Sequence, residues 1–594
     1  MDREQEEQVE DVAQVEQEDS DTEDVVFEPT SMDLDTAMQE SRTAVHLFFN
    51  NKFDEAWELL RPWVGSSMYH TVGNAVFHFL EAVLTFEPES IQKASAALKQ
   101  SIQLCNFYRK RQTLSESFGK MVKKQNYDHY TPEAIHAELC YAESLLLKSM
   151  LTFIEDESLV NFIKGGIKIR SCFNSYKECA NILHQRHWTD ETHKVHFESG
   201  VRMGIGAFNL MISLLPSRII KLLEFIGFSG SKELGLKELH LGYDLKQGLR
   251  HVLSVMTLLS YHLITVYVLS HSDGDLQLCD EILKSQLKLY PEGAWFLYFK
   301  GRLELMRGNI SDSCAWYIKS WNSQSVWPQF HHLCFWELMW AHSLALEWEQ
   351  ANVYATLLMK ESKWSRTTYA YQKCSILLMS EDALSTEVQE SIDTLMKNLP
   401  RWKKRVAGKS LPMEKFCIKK SERYWAQDRK LVLPVFELLY VWNMFKVLGK
   451  KWSLVEAVFI IVDKTLNLMN SGKLKISSAY EADNRGLLLL LKGGCLHQMN
   501  SPLQAEECLN SVLTLEKKIK EDHYLVPYAL VQLGIIHFQQ GAHQKAIQIL
   551  EDAKKNYTGY SLESRLHFQI HSALLELNSK DKKGSHDVIE STHM

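Results

Sequence analysis

The chain has 594 residues, 45% hydrophobic and 24% charged, an ordinary composition for a protein that folds in water. With only 27 Gly and 12 Pro, well below the usual ~7% and ~5%, it lacks the turn-formers that a β-sandwich or barrel requires. The formal charge of −8 is lopsided: residues 1–30 hold thirteen acids against Arg3 alone, and the rest is slightly positive. No basic excess exists for general phosphate-backbone binding, which argues against a nucleic-acid partner.

Residues 1–31 are acidic, Gln-rich and poor in large apolar groups, so they are expected to form a disordered acidic tail. Within it, Ser20-Asp21-Thr22-Glu23-Asp24 would suit an acid-directed kinase. The first residues, Met1-Asp2-Arg3-Glu4, read as neither signal peptide, transit peptide nor myristoylation site. Eleven scattered cysteines without a CxxC pair read as reduced, buried thiols of a cytoplasmic protein. Residues 578–594 are expected to be a second disordered tail.

From residue 32 onward apolar residues recur at helical three and four spacing almost without interruption. Residues 32–290 read as an N-terminal helical region with degenerate repeats, in which Phe53, Ala56 and Leu60, then Ile91, Ala94 and Leu98, share one pattern. Arg109-Lys110-Arg111, with Lys120, Lys123 and Lys124, is expected to decorate a loop before Pro132. Cys179 to His196 carries His184, His187, His193 and His196 with Asp190 and Glu191. Such density can hold zinc, but paired histidines between helices are more often solvated or capping, and no metal site is assigned. Met203 to Phe228 is apolar on both sides of Pro216 and reads as a helical hairpin plugging the structure, with insertion into a lipid monolayer as the alternative. Val252 to Leu269 is 18 residues without a formal charge, at the lower limit of a membrane span; a helix buried by its neighbours explains it as well.

Residues 291–395 read as central repeats: Gly301, the turn Gly308, Ser313 and Tyr317 match the pattern, and Trp348, Ala351, Ala355 and Leu358 give another second helix after a turn one residue shorter. Residues 396–430 read as a basic connector, with Arg401-Trp402-Lys403-Lys404-Arg405 between two prolines. Residues 431–577 contain the clearest units. Tyr528 to Phe538, a turn at Gly541 and a second stretch through Ala546, Leu550 and Ala553 have the tetratricopeptide layout, and Gly493, Ala505 and Leu509 repeat it one unit earlier. Helices of a hairpin approach closely only where one side chain is small. The reading is all-α: a tetratricopeptide-type α-solenoid with a non-repeat helical insert.

Lys363-Trp364-Ser365-Arg366-Thr367-Thr368-Tyr369-Ala370-Tyr371 resembles a signature of the tetratricopeptide repeat protein 39 family, which includes the inclusion-body clearance proteins. Phe162-Ile163-Lys164-Gly165-Gly166, Gly204 to Leu210 through Leu214-Leu215-Pro216, and Phe225 to Gly230 extend the likeness, which runs from about residue 33 to 577. The resemblance implies a non-catalytic cytosolic repeat protein. It points to lipid homeostasis, with clearance of aggregates at lipid droplets or cilium assembly as alternatives, and so to peripheral association with a lipid droplet or membrane.

No catalytic set is present. Gly204-x-Gly206 lacks a third glycine and a preceding strand, and Gly227 to Lys232 lacks phosphate-loop spacing. No enzyme activity and no cofactor are expected. In this architecture the first helix of each repeat lines a concave groove, whose candidate residues are Tyr298, Arg302, Trp336, Trp340, Val531, Ile535 and Phe538. Only Arg302 among them is cationic, so these positions supply no carboxylate clamp for an acidic chaperone tail. The expected partner is a protein, and the groove is filled either by the chain's own residues or by an apolar partner helix.

Overall fold

A computed structural model describes residues 31–591, except 86, 117–126, 156–158, 216–229, 381–384 and 407–408. Residues 1–30, the last three residues and the whole of the apolar hairpin from Pro216 on lie outside the described residues. Helices follow one another almost throughout, and consecutive helices pack together. The exception is a two-stranded ribbon pairing Arg405 with Ser410 and Val406 with Lys409. The chain divides into two compact units, Met1–Thr257 and Leu258–Met594. The division falls inside the long apolar helix His251–Leu269.

The first unit builds its core from Pro132–Glu155, Leu159–Gln185 and Glu191–Ser213. Gly204 lies where a β-carbon would come 2.0 Å from the Tyr176 ring, and Gly206 is 3.0 Å from the Gly235 carbonyl by the same measure. The glycine pair therefore marks close helix crossings. Beside this core Arg250, only 4% exposed, is held by Glu143 at 2.6 Å and by the Tyr69 hydroxyl at 3.1 Å. Arg109 sits on the helix Pro88–Glu116, paired with Glu138 and stacked 3.9 Å over Tyr141. Arg109 thus lies on a helix running to Glu116 and not in the loop expected around it; residues 117–126 lie outside the described residues.

The second unit carries the repeats. Its first helices, Ala294–Met306, Pro328–Leu344, Glu481–Gln498 and Leu525–Gln539, are buried on nearly every side. The second helices Ile310–Asn322, Trp348–Glu361, Pro502–Leu513 and His543–Asn556 bury one stripe and expose the other. A β-carbon at Gly301 would meet Tyr317 at 2.7 Å, at Gly493 Leu509 at 2.9 Å, and at Gly534 Leu550 at 2.8 Å. Missing side chains thus admit the large residue of the facing helix.

Each hairpin closes alike. Gly308, Leu346, Asn500 and Gly541, with Asn51 in the first unit, take left-handed φ values of 75°, 62°, 56°, 80° and 65°. The residue after each donates its N–H back to the helix end: Asn309 to Glu304, Glu347 to His342, Ser501 to Leu496, Ala542 to His537 and Lys52 to Leu47, all at 2.9 Å. These bonds satisfy otherwise orphaned carbonyls. The turn before Trp348 is therefore no shorter than the others; Leu346 fills the position that Gly308 and Gly541 fill elsewhere.

The stretch read as a connector is folded into the unit. Residues Pro412–Ala426 form a helix whose Lys420 pairs with Glu437 and, at 2.9 Å, with Asp522, while Arg423 reaches Asp483 at 3.0 Å. Asp483, fully buried, also accepts N–H bonds from Lys520, Glu521 and Asp522. Those bonds and Arg423 hold its carboxyl below the usual range although burial acts the other way. Arg401, Lys403 and Lys404 remain exposed. The signature segment anchors them: buried Glu414 accepts from the Ser365 hydroxyl at 2.6 Å and the Lys404 N–H at 2.8 Å, and Arg366 stacks 4.3 Å over Trp402.

Candidate partner-binding cleft

The seven candidate groove positions separate into two groups. In the central repeats Tyr298, Arg302 and Trp340 are at most 6% exposed. Arg302 donates to the Leu263 carbonyl at 3.1 Å and pairs with Glu337 at 2.6 Å. Glu337 also accepts from Tyr298 at 3.2 Å and Tyr317 at 3.3 Å. Burial opposes the Arg302 charge, but Glu337 and the flanking phenols hold its pKa above the usual range. Trp336 and Trp340 pack on Trp442, itself covered by Arg565 at 4.0 Å. The chain's own residues thus occupy this face.

The helix covering Arg302 is the apolar one singled out in the sequence. His251–Leu269 has a mean hydropathy of 1.9 over its most apolar stretch, half of which is buried. It includes a π-helical turn at Tyr261–Thr265. The Leu263 carbonyl that accepts from the Arg302 guanidinium lies within that turn.

At the last repeats Val531, Ile535 and Phe538 are buried as well, at 2%, 8% and 6% exposure, but a cleft lies beside them. Val531 and Ile535 line a cleft of about 160 Å³ with His271, Asp273, Tyr440, Asn443, Phe445, Lys446, Lys450, Gly494, His497, Gln498, Tyr528, Gln532, Gln539, Leu566 and Gln569. Phe538, 6% exposed, packs edge-on against His271 beside it. The wall is positioned from outside the repeat register. Asn443, at a left-handed φ of 64°, bonds the Tyr267 carbonyl at 2.7 Å and the Ser270 carbonyl at 3.1 Å. Lys446 bonds the carbonyls of Ser270 at 3.1 Å and Ser272 at 2.9 Å and lies 4.7 Å over the Tyr267 ring. Burial pushes its ammonium down to about 8, with Asp273 acting against it. Lys450 pairs with Asp273 at the rim.

Across the cleft runs a polar chain. Tyr440 donates to the Gln532 carbonyl oxygen at 3.4 Å, leaving that amide's nitrogen to donate to Nδ1 of His497. Nε2 of His497 then donates to the Gln539 oxygen at 2.6 Å. Burial lowers the His497 pKa, so the neutral ring fits this order of donors. The chain ends on Gln539, an exposed residue.

The histidine-rich segment is used structurally. Asp190 caps its helix through the N–H groups of Thr192 and His193, His193 bonds Asp35 at 2.7 Å, and His196 accepts the Leu249 N–H at 3.0 Å. Cys179 is buried in the core, and among the described residues no three metal-capable side chains converge. Ser231, in the stretch resembling a phosphate loop, caps the helix Lys232–Asp244. All eleven cysteines are unpaired, ten of them buried. Sequence reasoning missed Glu337, Asn443, Lys446, Gln498 and Gln569; they lie outside the positions tested at the small crossing residues, so no repeat spacing flags them.

The profile of the Iml2/Tetratricopeptide repeat protein 39 family matches residues 42–499, and a tetratricopeptide repeat profile matches residues 485–558. The chain is 37% identical to the Caenorhabditis elegans tetratricopeptide repeat protein ttc-39B over 555 residues, covering 93% of this chain and 94% of that one. Among solved structures, yeast Tom70 aligns at 10% identity with a TM-score of 0.29, covering 94% of this chain and 99% of that one. The Cut9–Hcn1 hetero-tetramer aligns at 12% identity with a TM-score of 0.23, covering 92% of this chain and 97% of that one. From its repeat register, its helical closures and the match across most of its length, the chain belongs to the Iml2/Tetratricopeptide repeat protein 39 family.

Proposed function

We propose that this protein is a non-catalytic, cytoplasmic scaffold that holds a protein partner in the cleft of its last repeats. The observation carrying this reading is the contrast between the two groups of groove positions. Tyr298, Arg302 and Trp340 are tied into the chain's own packing and hydrogen bonds, whereas Val531 and Ile535, also buried at 2% and 8% exposure, lie at the base of a cleft lined mainly by polar residues. Repeat proteins use such concave surfaces for recognition. Proximity labelling in cells tests it: wild-type protein labels a defined partner set, and Gln569→Trp, which fills the cleft, loses part of that set without a change in melting temperature. An unchanged set would count against the reading.

A second reading draws on the apolar helix His251–Leu269, only half of whose most apolar stretch is buried, and on the family's links to lipid homeostasis. It places the protein peripherally on a lipid droplet or membrane. Flotation with liposomes separates the readings, since a lipid-binding chain would float and Leu269→Lys would abolish flotation.

A further inference from the structure

Apart from the cleft, we infer that the basic face around the signature segment is a docking surface for a membrane rich in anionic phospholipid. Between residues 396 and 419 the chain carries eight Lys or Arg and a single acid, Glu414. Glu414 does not offset them at the surface: it is fully buried and spends its carboxylate on the Ser365 hydroxyl and the Lys404 N–H. Those bonds draw four segments together. The helix Arg366–Ser380 holds the Leu399 carbonyl through the Thr367 hydroxyl at 3.1 Å, and Leu399–Trp402 forms a short 3-10 turn. The Lys404 ammonium bonds the Lys363 carbonyl, and Glu414 stands in the first turn of Pro412–Ala426. Lys363, Arg366, Arg401, Lys403, Lys404 and Lys415 are thereby gathered on one part of the surface, all exposed.

Among the described residues the side chains of Arg366, Arg401, Lys403, Lys404 and Lys415 form no ion pair. Cations elsewhere in this unit do: Arg429 pairs with Asp393 at 3.0 Å and Lys492 with Asp463 at 2.6 Å. Like charges held this close repel one another and create a positive field that an external anion relieves. A protein partner fixes its register by setting both signs of charge across the interface, and this face offers one sign from several separate segments. A fluid sheet of anionic headgroups needs no register, because its lipids rearrange beneath the charges. The aromatic content points the same way. Trp402 is half-buried within the cluster under the Arg366 guanidinium, 4.3 Å away, and Trp364 is half-buried next to Lys363. Tryptophan, apolar in body and polar at its N–H, is enriched at the headgroup level of membranes. This contact is electrostatic and draws nothing from the apolar helix His251–Leu269.

The test is co-sedimentation of the full-length protein with vesicles of phosphatidylcholine, alone or with about 20% phosphatidylserine. The inference predicts binding that depends on phosphatidylserine and is lost as salt rises from about 0.1 to about 0.5 M, which shortens the reach of charge. Arg401→Ala, Lys403→Ala and Lys415→Ala should each weaken that binding about fivefold, and the three together about a hundredfold. Arg401→Lys should retain it, and Leu269→Lys should leave its phosphatidylserine-dependent part unchanged. If an alanine variant lowers the melting temperature, Arg401→Gln, which keeps a long polar side chain and removes only the charge, should still give the fivefold loss. Failure to bind anionic vesicles, or equal binding by wild type and the triple variant, overturns the inference. Equal binding to neutral and anionic vesicles also overturns it and points to the apolar helix. A soluble Asp- and Glu-rich peptide that binds as tightly as the vesicles, and is lost in the triple variant, assigns the face to an acidic protein and overturns the lipid occupant. None of these outcomes bears on the cleft, which proximity labelling with Gln569→Trp tests separately.

Discussion

Gly534 faces Leu550 across the last repeat so closely that a β-carbon on the glycine would lie 2.8 Å from the leucine's Cδ2. The Ala546 carbonyl oxygen, one turn earlier on the same helix, would be 3.7 Å away. Leu550, not Ala546, is thus the nearest side-chain limit at this crossing. Gly534→Leu is expected to destabilise the second unit by about 1–3 kcal/mol or more through overpacking. Chemical denaturation monitored by circular dichroism checks this. Gly534→Ala should cost less, because the leucine tip has some freedom to move.

The buried Arg302–Glu337 pair gives a second prediction. Both residues are under 5% exposed, so Glu337→Gln should leave an uncompensated guanidinium and destabilise by about 3–5 kcal/mol. Arg302→Met combined with Glu337→Gln should recover much of that loss. Equal destabilisation by the single and double variants would show that the hydrogen bonds from Tyr298 and Tyr317, and not the charges, hold the site.

Acid sensitivity in the first unit follows from two histidines. His136 is fully buried, with Nδ1 on the Tyr69 hydroxyl at 2.6 Å, and burial holds its pKa well below the usual value. His196 is pushed down to about 4, chiefly by burial and then by the Arg250 charge. Unfolded chains bind protons at both groups below about pH 6.5 while the folded unit does not. Stability of the first unit should therefore be full above that pH and fall as pH drops toward 4. Hydrogen exchange of Glu191–Ser213 between pH 7 and 4.5, corrected for intrinsic rates, reads this directly. His196→Gln should flatten the dependence, and an unchanged slope would assign it elsewhere.

Removal of residues 1–31 should leave helix content and melting temperature essentially unchanged, because a segment so acidic and poor in apolar groups has little to add to a core. A large loss of cooperativity on deletion would show that the segment docks.

How much of this was legible beforehand depended on whether a residue's role was local. Gly301, Gly493 and Gly534 announce themselves, since a small residue at fixed distance from a second helix has few other uses. Leu346 does not: leucine is disfavoured at positive φ, so the turn it makes left no chemical trace and its repeat looked shorter. The candidate groove positions lie on the first helices, but periodicity reports that a face is apolar and not what lies over it. The cover on Arg302 comes from Leu263, and its counter-ion Glu337 comes from the next repeat. Likewise Lys420 and Arg423 read as part of a basic connector, because their partners Glu437, Asp483 and Asp522 are remote in sequence.

The most direct test of the central claim places a photo-crosslinking amino acid at Gln539, at the mouth of the cleft, or at Gln548, exposed on the second helix of the same repeat. Partner adducts in cells should form from position 539 and be absent or far weaker from position 548. Adducts formed only from position 548 would contradict the account.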